Sequence, residues 1–195
     1  MTELILASGS PRRKELLRSA GFDFAVRLPS IAERTDAHLT ARELTSWNAI
    51  RKGLTVARLC PDEVVIAADT VVALNGSVIG KPTDVEHAVR ILERLGGQTH
   101  QVYSSVFVAH LARARVRLFC EVSHVHFRTL GPPQIREYLA KIDPLDKAGA
   151  YAAQGHGSEI IEQIEGSYSN VVGLPMEETT VVLRQFGIRP VRLPN

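Results

Sequence analysis

The sequence contains few cysteines, few aromatic residues and no strong excess of either charge. Only two of its 195 residues are cysteine, 6% are aromatic, and the formal net charge is +2. Cys60 and Cys120 lie far apart and lack the spacing of a metal motif, which favours reduced thiols in the core over a disulfide framework. This cysteine usage predicts a cytoplasmic protein.

The sequence also lacks a long basic tract and a long apolar run. Without clustered positive charge, binding to nucleic acid by counterion release is not favoured. The apolar run at residues 4–7 is far shorter than the core of a signal peptide, and no stretch approaches the roughly 18 apolar residues that span a membrane. We therefore expect no membrane partner and no stable nucleic-acid partner.

The remaining composition, 45% hydrophobic and 23% charged, is that of an ordinary globular chain. Strand and helix patterns alternate without an internal repeat or a linker, which predicts a single α/β domain over residues 1–195 with a mixed sheet. Strands are predicted at residues 4–7, 22–28, 64–68, 98–112 and 115–127, with a hairpin at Asn75-Gly76. Helices are predicted after Ser10, after capping boxes at Thr40 and Thr83, and at residues 134–140 and 176–186.

The segment LILASGSPRRKELL, residues 4–17, predicts a strand, a tight loop and a helix. Ser10 is suited to the N-cap and Pro11 to the first helical position. Three cations follow in the first turn, Arg12, Arg13 and Lys14, where each opposes the helix dipole by about 0.3 to 1 kcal/mol. A bound anion would remove that penalty, so the loop is a candidate phosphate site, although a solvated basic helix start is the alternative.

Two acidic residues and two lysines complete this candidate site. Asp69 follows the predicted buried strand VVIAA, and Glu33 lies in the polar loop IAERTDA. Lys52 lies within the second predicted helix, and Lys81 follows the hairpin. Carboxylates combined with phosphate oxygens are typical Mg²⁺ ligands, so the set suggests metal-assisted phosphoryl chemistry. A single loop carboxylate is nevertheless more often solvated or a helix cap.

Other chemistry has weaker support. His124 and His126 project from one face of a strand, but no third metal ligand has suitable spacing. A serine nucleophile at Ser8 or Ser10 would need a partnered base, and the chain has no G-x-S-x-G elbow. GKP lacks the rest of a Walker loop, and no G-x-G-x-x-G motif follows a strand.

Five segments in order and at matching spacing resemble the Maf family of nucleoside triphosphate pyrophosphatases. They are LILASGSPRRKELL, VVIAADTVV, GKP, DKAGAYAAQG and IEGSYSNVVGLP. The resemblance implies a twisted mixed sheet with a central cleft, similar to the inosine triphosphate pyrophosphatase group. It also implies hydrolysis of a nucleoside triphosphate to the monophosphate and pyrophosphate with Mg²⁺ or Mn²⁺, in a homodimer.

The resemblance implies roles for individual residues. Asp69 would be the catalytic base and, with Glu33, a metal ligand. The triphosphate would contact residues of the first loop and two lysines: Ser8, Arg12, Arg13, Lys52 and Lys81. Three residues match the branch of the family that acts on dTTP and UTP: Arg12, Thr70 and Gln154. A Gln amide has the donor and acceptor that pair with the N3–H and carbonyl edge of uracil or thymine.

The sequence departs from the family pattern at three positions. Ala32 stands where an Asp is frequent, Gly53 where an Ala is common, and Ala153 where an Ile is frequent. None of them removes a residue with an implied catalytic role. The family's association with septum formation leaves a nucleotide-sensing regulatory protein as an alternative, and a phosphatase that releases inorganic phosphate would use similar residues.

Overall fold

We describe the protein from a computed structural model that defines residues 3–33 and 38–191. The strands are β1 (Leu4–Leu6), β2 (Ala25–Val26), β3 (Val64–Leu74), β4 (Ser77–Ile79), β5 (Thr99–His110), β6 (Arg115–Phe127) and β7 (Ile161–Glu165). The α-helices are α1 (Pro11–Ser19), α2 (Ala41–Ala57), α3 (Val85–Leu95), α4 (Pro132–Leu139), α5 (Tyr168–Val172) and α6 (Met176–Gln185). Single turns of 3-10 helix occupy Leu111–Arg113, Ala148–Ala150 and Gly155–Glu159.

The seven strands of the described residues form one sheet in the order β2-β1-β3-β5-β6-β7, with β4 paired to β3. The short N-terminal strand β1 is parallel to both β2 and β3. Every other pairing is antiparallel. The prediction of a mixed sheet flanked by helices is therefore confirmed.

The local sequence signals at three element boundaries are confirmed. Ser10 caps α1, where its side chain accepts from the Arg13 amide, and Pro11 is the first helical residue. Thr40 and Glu43 form the reciprocal capping box of α2. The Asn75-Gly76 turn joins β3 to β4, with both residues at the positive φ angles that such a turn requires.

Four predictions need correction. The buried strand does not end before Asp69, because β3 continues to Leu74. The strand predicted at residues 22–28 pairs only over Ala25–Val26, since β2 is a sheet edge with β1 as its single neighbour. The third helix is capped by Asp84, whose side chain accepts from the His87 amide, and not by Thr83. The two cysteines are free but only half-buried.

Helices cover both faces of the sheet, and different parts of β3 face different helices. Ile66 packs with α1 and α6, whereas its neighbour Val65 packs with α2 on the opposite face. Farther along the strand, Val72 joins a third apolar cluster with α3 and α4. Asp69 and Thr70 lie between these clusters, so the interior is polar there.

No helix in the described part of the chain is long and apolar enough to span a membrane. The predicted polar loop at residues 31–37 lies partly outside that part, because residues 34–37 are not described.

Candidate active site

A cavity of about 500 Å³ opens between the first loop and the segment at residues 146–154. Its floor is the middle of β3. Every residue that the sequence predicts for the site lines this cavity: Ser8, Arg12, Arg13, Glu33, Lys52, Asp69, Thr70, Lys81 and Gln154. The fold thus brings together residues that are up to 146 positions apart, while their individual roles stay predictions.

The centre of the cavity is a lysine bound to two carboxylates. Lys52 extends from α2, and its Nζ lies 2.5 Å from an oxygen of Glu33 and 2.6 Å from an oxygen of Asp69. The side chains of Lys52 and Asp69 are only 9% and 7% exposed, whereas that of Glu33 is 48% exposed. Such a short, buried pair keeps a carboxylate charged in a place where an isolated charge would be costly.

Burial and neighbouring charge act in opposite directions on these carboxyl groups. Burial raises the pKa of Asp69 above its ordinary value, and the attraction of Lys52 partly opposes that rise. Burial is also the largest single effect on Glu33, but Lys52 and the more distant cations outweigh it, so the pKa of Glu33 falls. The two acids therefore differ in basicity, and Asp69 is the better proton acceptor.

Arg13 is held by the protein on all three of its nitrogens. Its Nε donates to the carbonyl of Gly173 at 2.9 Å, its Nη1 to Ser8 Oγ at 3.2 Å and its Nη2 to Thr70 Oγ1 at 3.1 Å. Burial lowers its pKa, although a guanidinium stays protonated. These contacts fix the first loop against β3 and the end of α5, and they leave one N–H on each terminal nitrogen for a ligand.

Arg12 lies at the mouth of the cavity and contacts the opposite wall. Its Nη1 is 3.3 Å from a carboxylate oxygen of Asp146, and the two side chains are 28% and 49% exposed. Lys147 contacts the same carboxylate. A second, longer contact joins the Gln154 amide to Glu15 at 3.5 Å. The segment at residues 146–154 therefore meets α1 through polar side chains, which a ligand could displace.

The predictions missed residues that support the site. Asn48 Nδ2 donates to Asp69 at 3.2 Å, and its position four residues before Lys52 on α2 was a usable signal because both then share one helix face. Asp146 and Lys147 lie within the quoted DKAGAYAAQG segment but received no role.

Tyr151 forms part of the cavity wall, and the sequence offered no indication of its partner. Its hydroxyl lies 2.8 Å from His100 Nε2 in the interior, and Phe127 contacts both rings edge to face. Burial lowers the pKa of His100 to about 4, so the imidazole is neutral at physiological pH. Tyr151 is therefore held in the cavity wall by two uncharged rings, those of His100 and Phe127.

The weaker alternatives gain no support from the geometry. His126 contacts Thr99 and Glu165, and within residues 3–33 and 38–191 no group of three His, Cys, Asp or Glu side chains could hold a metal. Ser8 Oγ accepts from the Ser10 amide and from Arg13, which are donors and not the base that a nucleophilic serine needs.

The cavity as a whole carries more positive than negative charge. Five cationic side chains line it, together with three carboxylates. The cations suit an anion with several charges, and the buried Asp69 adds a proton acceptor beside them. The fold and cavity thus define an α/β protein with a site for a polyanionic ligand and for acid–base chemistry.

Comparison with known proteins identifies the family. A family profile described as Maf-like protein matches residues 3–186. The chain belongs to the Maf family. It is 44% identical over 190 residues to the dTTP/UTP pyrophosphatase of Bacillus pumilus, covering 97% of this chain and all of the relative. It is 45% identical to the protein of the same name from Salmonella typhimurium, covering 95% of this chain and 94% of the relative.

Solved structures give a more distant similarity. A nucleoside-triphosphatase / dITP/XTP pyrophosphatase from Mycobacterium abscessus is 12% identical, with 95% of this chain and 96% of that chain covered and a TM-score of 0.45. A similarity at this TM-score does not define the fold, which is given by the sheet order and by membership of the Maf family.

Proposed function

We propose that this protein is a nucleoside triphosphate pyrophosphatase. It hydrolyses dTTP and UTP, and modified pyrimidine nucleotides of the same kind, to the nucleoside monophosphate and pyrophosphate. The observation that carries the proposal is the buried Lys52 between Glu33 and Asp69 in a cavity lined with cations. The names of relatives that match almost the whole chain support the choice of substrate.

The chain's own residues account for binding and for the proton. Arg12, Lys81 and the two free N–H groups of Arg13 face the phosphates and stabilise the negative charge that develops on the leaving pyrophosphate. Asp69 accepts the proton of the water that attacks the α-phosphorus, as the bond to the bridging oxygen of the pyrophosphate breaks. Lys52 and Asn48 keep the Asp69 carboxylate oriented throughout.

A divalent cation fits the donors that are present. Glu33 and Asp69 supply hard carboxylate oxygens, and Mg²⁺ or Mn²⁺ commonly binds one or two carboxylates together with substrate phosphates. Glu33 and Asp69 would hold the ion, which would neutralise phosphate charge and acidify a bound water. The described residues contain no third acidic or histidine ligand at this place, so substrate oxygens would complete its coordination.

We assign the pyrimidine preference to three residues that line the cavity, Arg12, Thr70 and Gln154. Gln154 offers a donor and an acceptor to the base, and its present contact with Glu15 is long enough to exchange. Thr70 has its hydroxyl engaged by Arg13 and Ser104, so it shapes the wall instead of offering a free hydrogen bond. A polar match of this kind rejects a wrong base more strongly than an apolar pocket does.

The proposal is tested by product analysis. The purified protein is incubated with Mg²⁺ or Mn²⁺ and each common nucleoside triphosphate, and pyrophosphate is separated from orthophosphate. We expect dTTP and UTP to give pyrophosphate. Release of orthophosphate would mean a phosphatase, and tight binding without turnover would favour the nucleotide-sensing regulatory protein. Either result would overturn the proposal.

One variant ties the activity to the cavity. Asp69→Asn keeps the size of the side chain and its position beside Asn48 but removes the basic carboxylate. Turnover should therefore fall by about 10² to 10⁴-fold, while the fold stays intact. Asp62→Asn makes the same chemical change at an exposed position outside the cavity and should leave turnover unchanged. Near-normal activity of the Asp69 variant would remove that residue from the mechanism.

A further inference from the structure

The cavity lies beside a stretch of β3 that has a strand neighbour on one edge only. On the edge opposite β5, β1 pairs with residues 64–66 and β4 with residues 72–74. In the described part of the chain, no strand pairs with residues 67–71 on that edge. Because successive side chains of a strand point to opposite faces, Asp69 and Val72 reach this one cavity from different faces of the sheet.

The part of the cavity beyond Thr70 is apolar. Val72 and Val102 are paired neighbours on β3 and β5, and they line this part together with the Tyr151 ring. Val72 follows Asp69 by three positions, which is about 10 Å along the strand. This distance leaves room for a sugar between a phosphate beside Asp69 and a base beside Val72. The apolar part of the cavity is therefore suited to the base of a nucleotide.

The Tyr151 ring is held from three directions. Its hydroxyl lies 2.8 Å from Nε2 of the fully buried His100, and the Phe127 ring meets it edge to face, with 4.9 Å between the ring centres. On a third side lies Gly149, where a Cβ would be 3.2 Å from Cε1 of Tyr151 and 2.9 Å from Cγ2 of Val72. The ring therefore cannot move aside unless this packed cluster opens.

Hydrogen bonding to Gln154 does not by itself explain a preference for pyrimidines. The Gln154 amide offers one donor and one acceptor. Uracil and thymine present N3–H beside a carbonyl, and guanine presents N1–H beside a carbonyl in the same arrangement. These bases differ in size, because guanine has a second ring. A site that accepts dTTP and rejects dGTP therefore needs a wall that limits the size of the base.

We propose that Tyr151 determines specificity because its ring excludes purine bases, and that His100 is the positioning residue that fixes this ring. The inference rests on the function proposed above and adds the wall that limits the size of the base. Tyr151 lies three positions before Gln154, and both line the cavity, so a large base bonded to Gln154 meets the ring. His100 does not line the cavity and acts through the Tyr151 hydroxyl.

Steady-state kinetics with dTTP and dGTP measure this discrimination as a ratio of two kcat/KM values. The wild type should strongly prefer dTTP. Tyr151→Leu should lower the ratio by at least about tenfold, because one methylene in an apolar pocket already changes discrimination by about 10- to 200-fold. The matched control, Phe186→Leu, removes another buried ring, which lies after α6 and outside the cavity, and should leave the ratio unchanged.

Two substitutions of His100 test its positioning role. His100→Leu keeps the Tyr151 ring but removes the partner of its hydroxyl, so the ratio should fall in the same direction as in Tyr151→Leu. His100→Gln keeps a polar partner for the hydroxyl and should discriminate better than His100→Leu. A residue that only stabilises the fold would lower the melting temperature without changing the ratio, and that result would remove His100 from the proposal.

Equilibrium binding separates this inference from the proposed function. Titration calorimetry gives the Kd values of dTTP and dGTP for Asp69→Asn, in which turnover is impaired, and for the same variant with Tyr151→Leu. The second substitution should lower the ratio of the Kd values for dGTP and dTTP by at least about tenfold. A wild type that releases no pyrophosphate would overturn the proposed function, and the binding ratios would still decide this inference. An unchanged ratio in Tyr151→Leu, or a wild type that accepts dGTP as readily as dTTP, would overturn the inference alone.

Discussion

Three consecutive cations in the first loop have three different environments. Arg13 is half-buried and bound to a hydroxyl group on β3 and to a backbone carbonyl after α5. Arg12 lies at the mouth of the cavity, where an exposed carboxylate is its partner. Lys14 does not line the cavity. Two of the three charges that oppose the dipole of α1, those of Arg12 and Arg13, therefore lie at the cavity, where a bound anion can compensate them. The charge of Lys14 lies outside the cavity.

Arg12→Ala should impair substrate use far more than Lys14→Ala. Arg12 faces the cavity, and its loss removes a charge-assisted contact to phosphate worth about 1.5 to 3 kcal/mol, or roughly ten- to a hundredfold in kcat/KM. Its exposed pair with Asp146 contributes only about 0 to 1 kcal/mol, so the melting temperature should hardly change. Steady-state kinetics with dTTP and thermal unfolding measure both effects.

Lys14→Ala is the matched control for that experiment. It removes a cation from the same helical turn and should leave kcat/KM for dTTP close to the wild-type value. Equal losses in the two variants would show that the loop acts through its overall charge, and the distinct role of Arg12 would be wrong.

The position of Asp69 inside β3 could not be predicted from the local residue pattern. A carboxylate after an apolar run predicts the end of a strand, because a charge inside a buried strand is costly. In the structure β3 continues past Asp69, since Lys52 and Asn48 from α2 bind its carboxylate. The compensating residues lie 17 and 21 positions away, so no local window contains them.

At the scale of elements, boundaries set by local chemistry were predictable. The N-caps of α1 and α2 and the Asn75-Gly76 turn depend on residues within four positions, and all three are confirmed. The length of β2 depends instead on how many residues find a partner on β1. At the start of α3 the predicted cap, Thr83, is one residue too early, because the Asp84 side chain caps the helix.

Gly53→Ala should destabilise the protein although it improves the helix propensity of α2. Alanine inside a helix is favoured by about 0.5 to 1 kcal/mol over glycine. A Cβ at position 53, however, would lie 2.2 Å from Cδ1 of Phe107 on β5, a buried ring that must then move. Overpacking of this kind costs about 1 to 3 kcal/mol, so the melting temperature should fall by several degrees.

A second substitution separates crowding from other causes. Phe107→Leu leaves more room opposite position 53, so it should be less destabilising in the Gly53→Ala background than in the wild type. Thermal unfolding of the four proteins gives this interaction free energy. A higher melting temperature for Gly53→Ala alone would contradict the close packing of α2 on β5.

At the scale of the whole molecule, the sequence predicted residues that the fold brings to one cavity, but not the contacts that surround them. All nine predicted residues line the cavity; seven of them lie in the motif segments, whereas Glu33 and Lys52 lie outside those segments. The supporting contacts join elements far apart in the chain: Asn48 binds Asp69, Asp146 binds Arg12, and His100 binds Tyr151. Their residue types are common in surface and core positions, so apart from the four-residue spacing of Asn48 and Lys52, only the folded arrangement identifies these contacts.

A buried polar chain connects the first loop to the far side of the sheet. Arg13 donates to Thr70, whose hydroxyl lies 2.9 Å from Ser104 Oγ. Ser104 in turn donates to the carbonyl of Asn170, which is fully buried on α5. The Asn170 amide then donates to Ser123 Oγ and to the carbonyl of Val102. Five elements, α1, β3, β5, β6 and α5, are thus joined through the interior of the molecule.

Asn170→Ala should therefore weaken the whole fold and the site together. The substitution leaves a buried hydroxyl and a buried carbonyl without their amide donor, which costs about 1 to 3 kcal/mol and lowers the melting temperature by several degrees. Because Gly173, which binds Arg13, follows α5 directly, kcat/KM for dTTP should fall as well. Gln163→Ala removes an amide from an exposed position of β7 and should change neither quantity. If Asn170→Ala melts like the wild type, the polar chain does not stabilise the fold; if it melts early with unchanged kinetics, the chain does not reach the site.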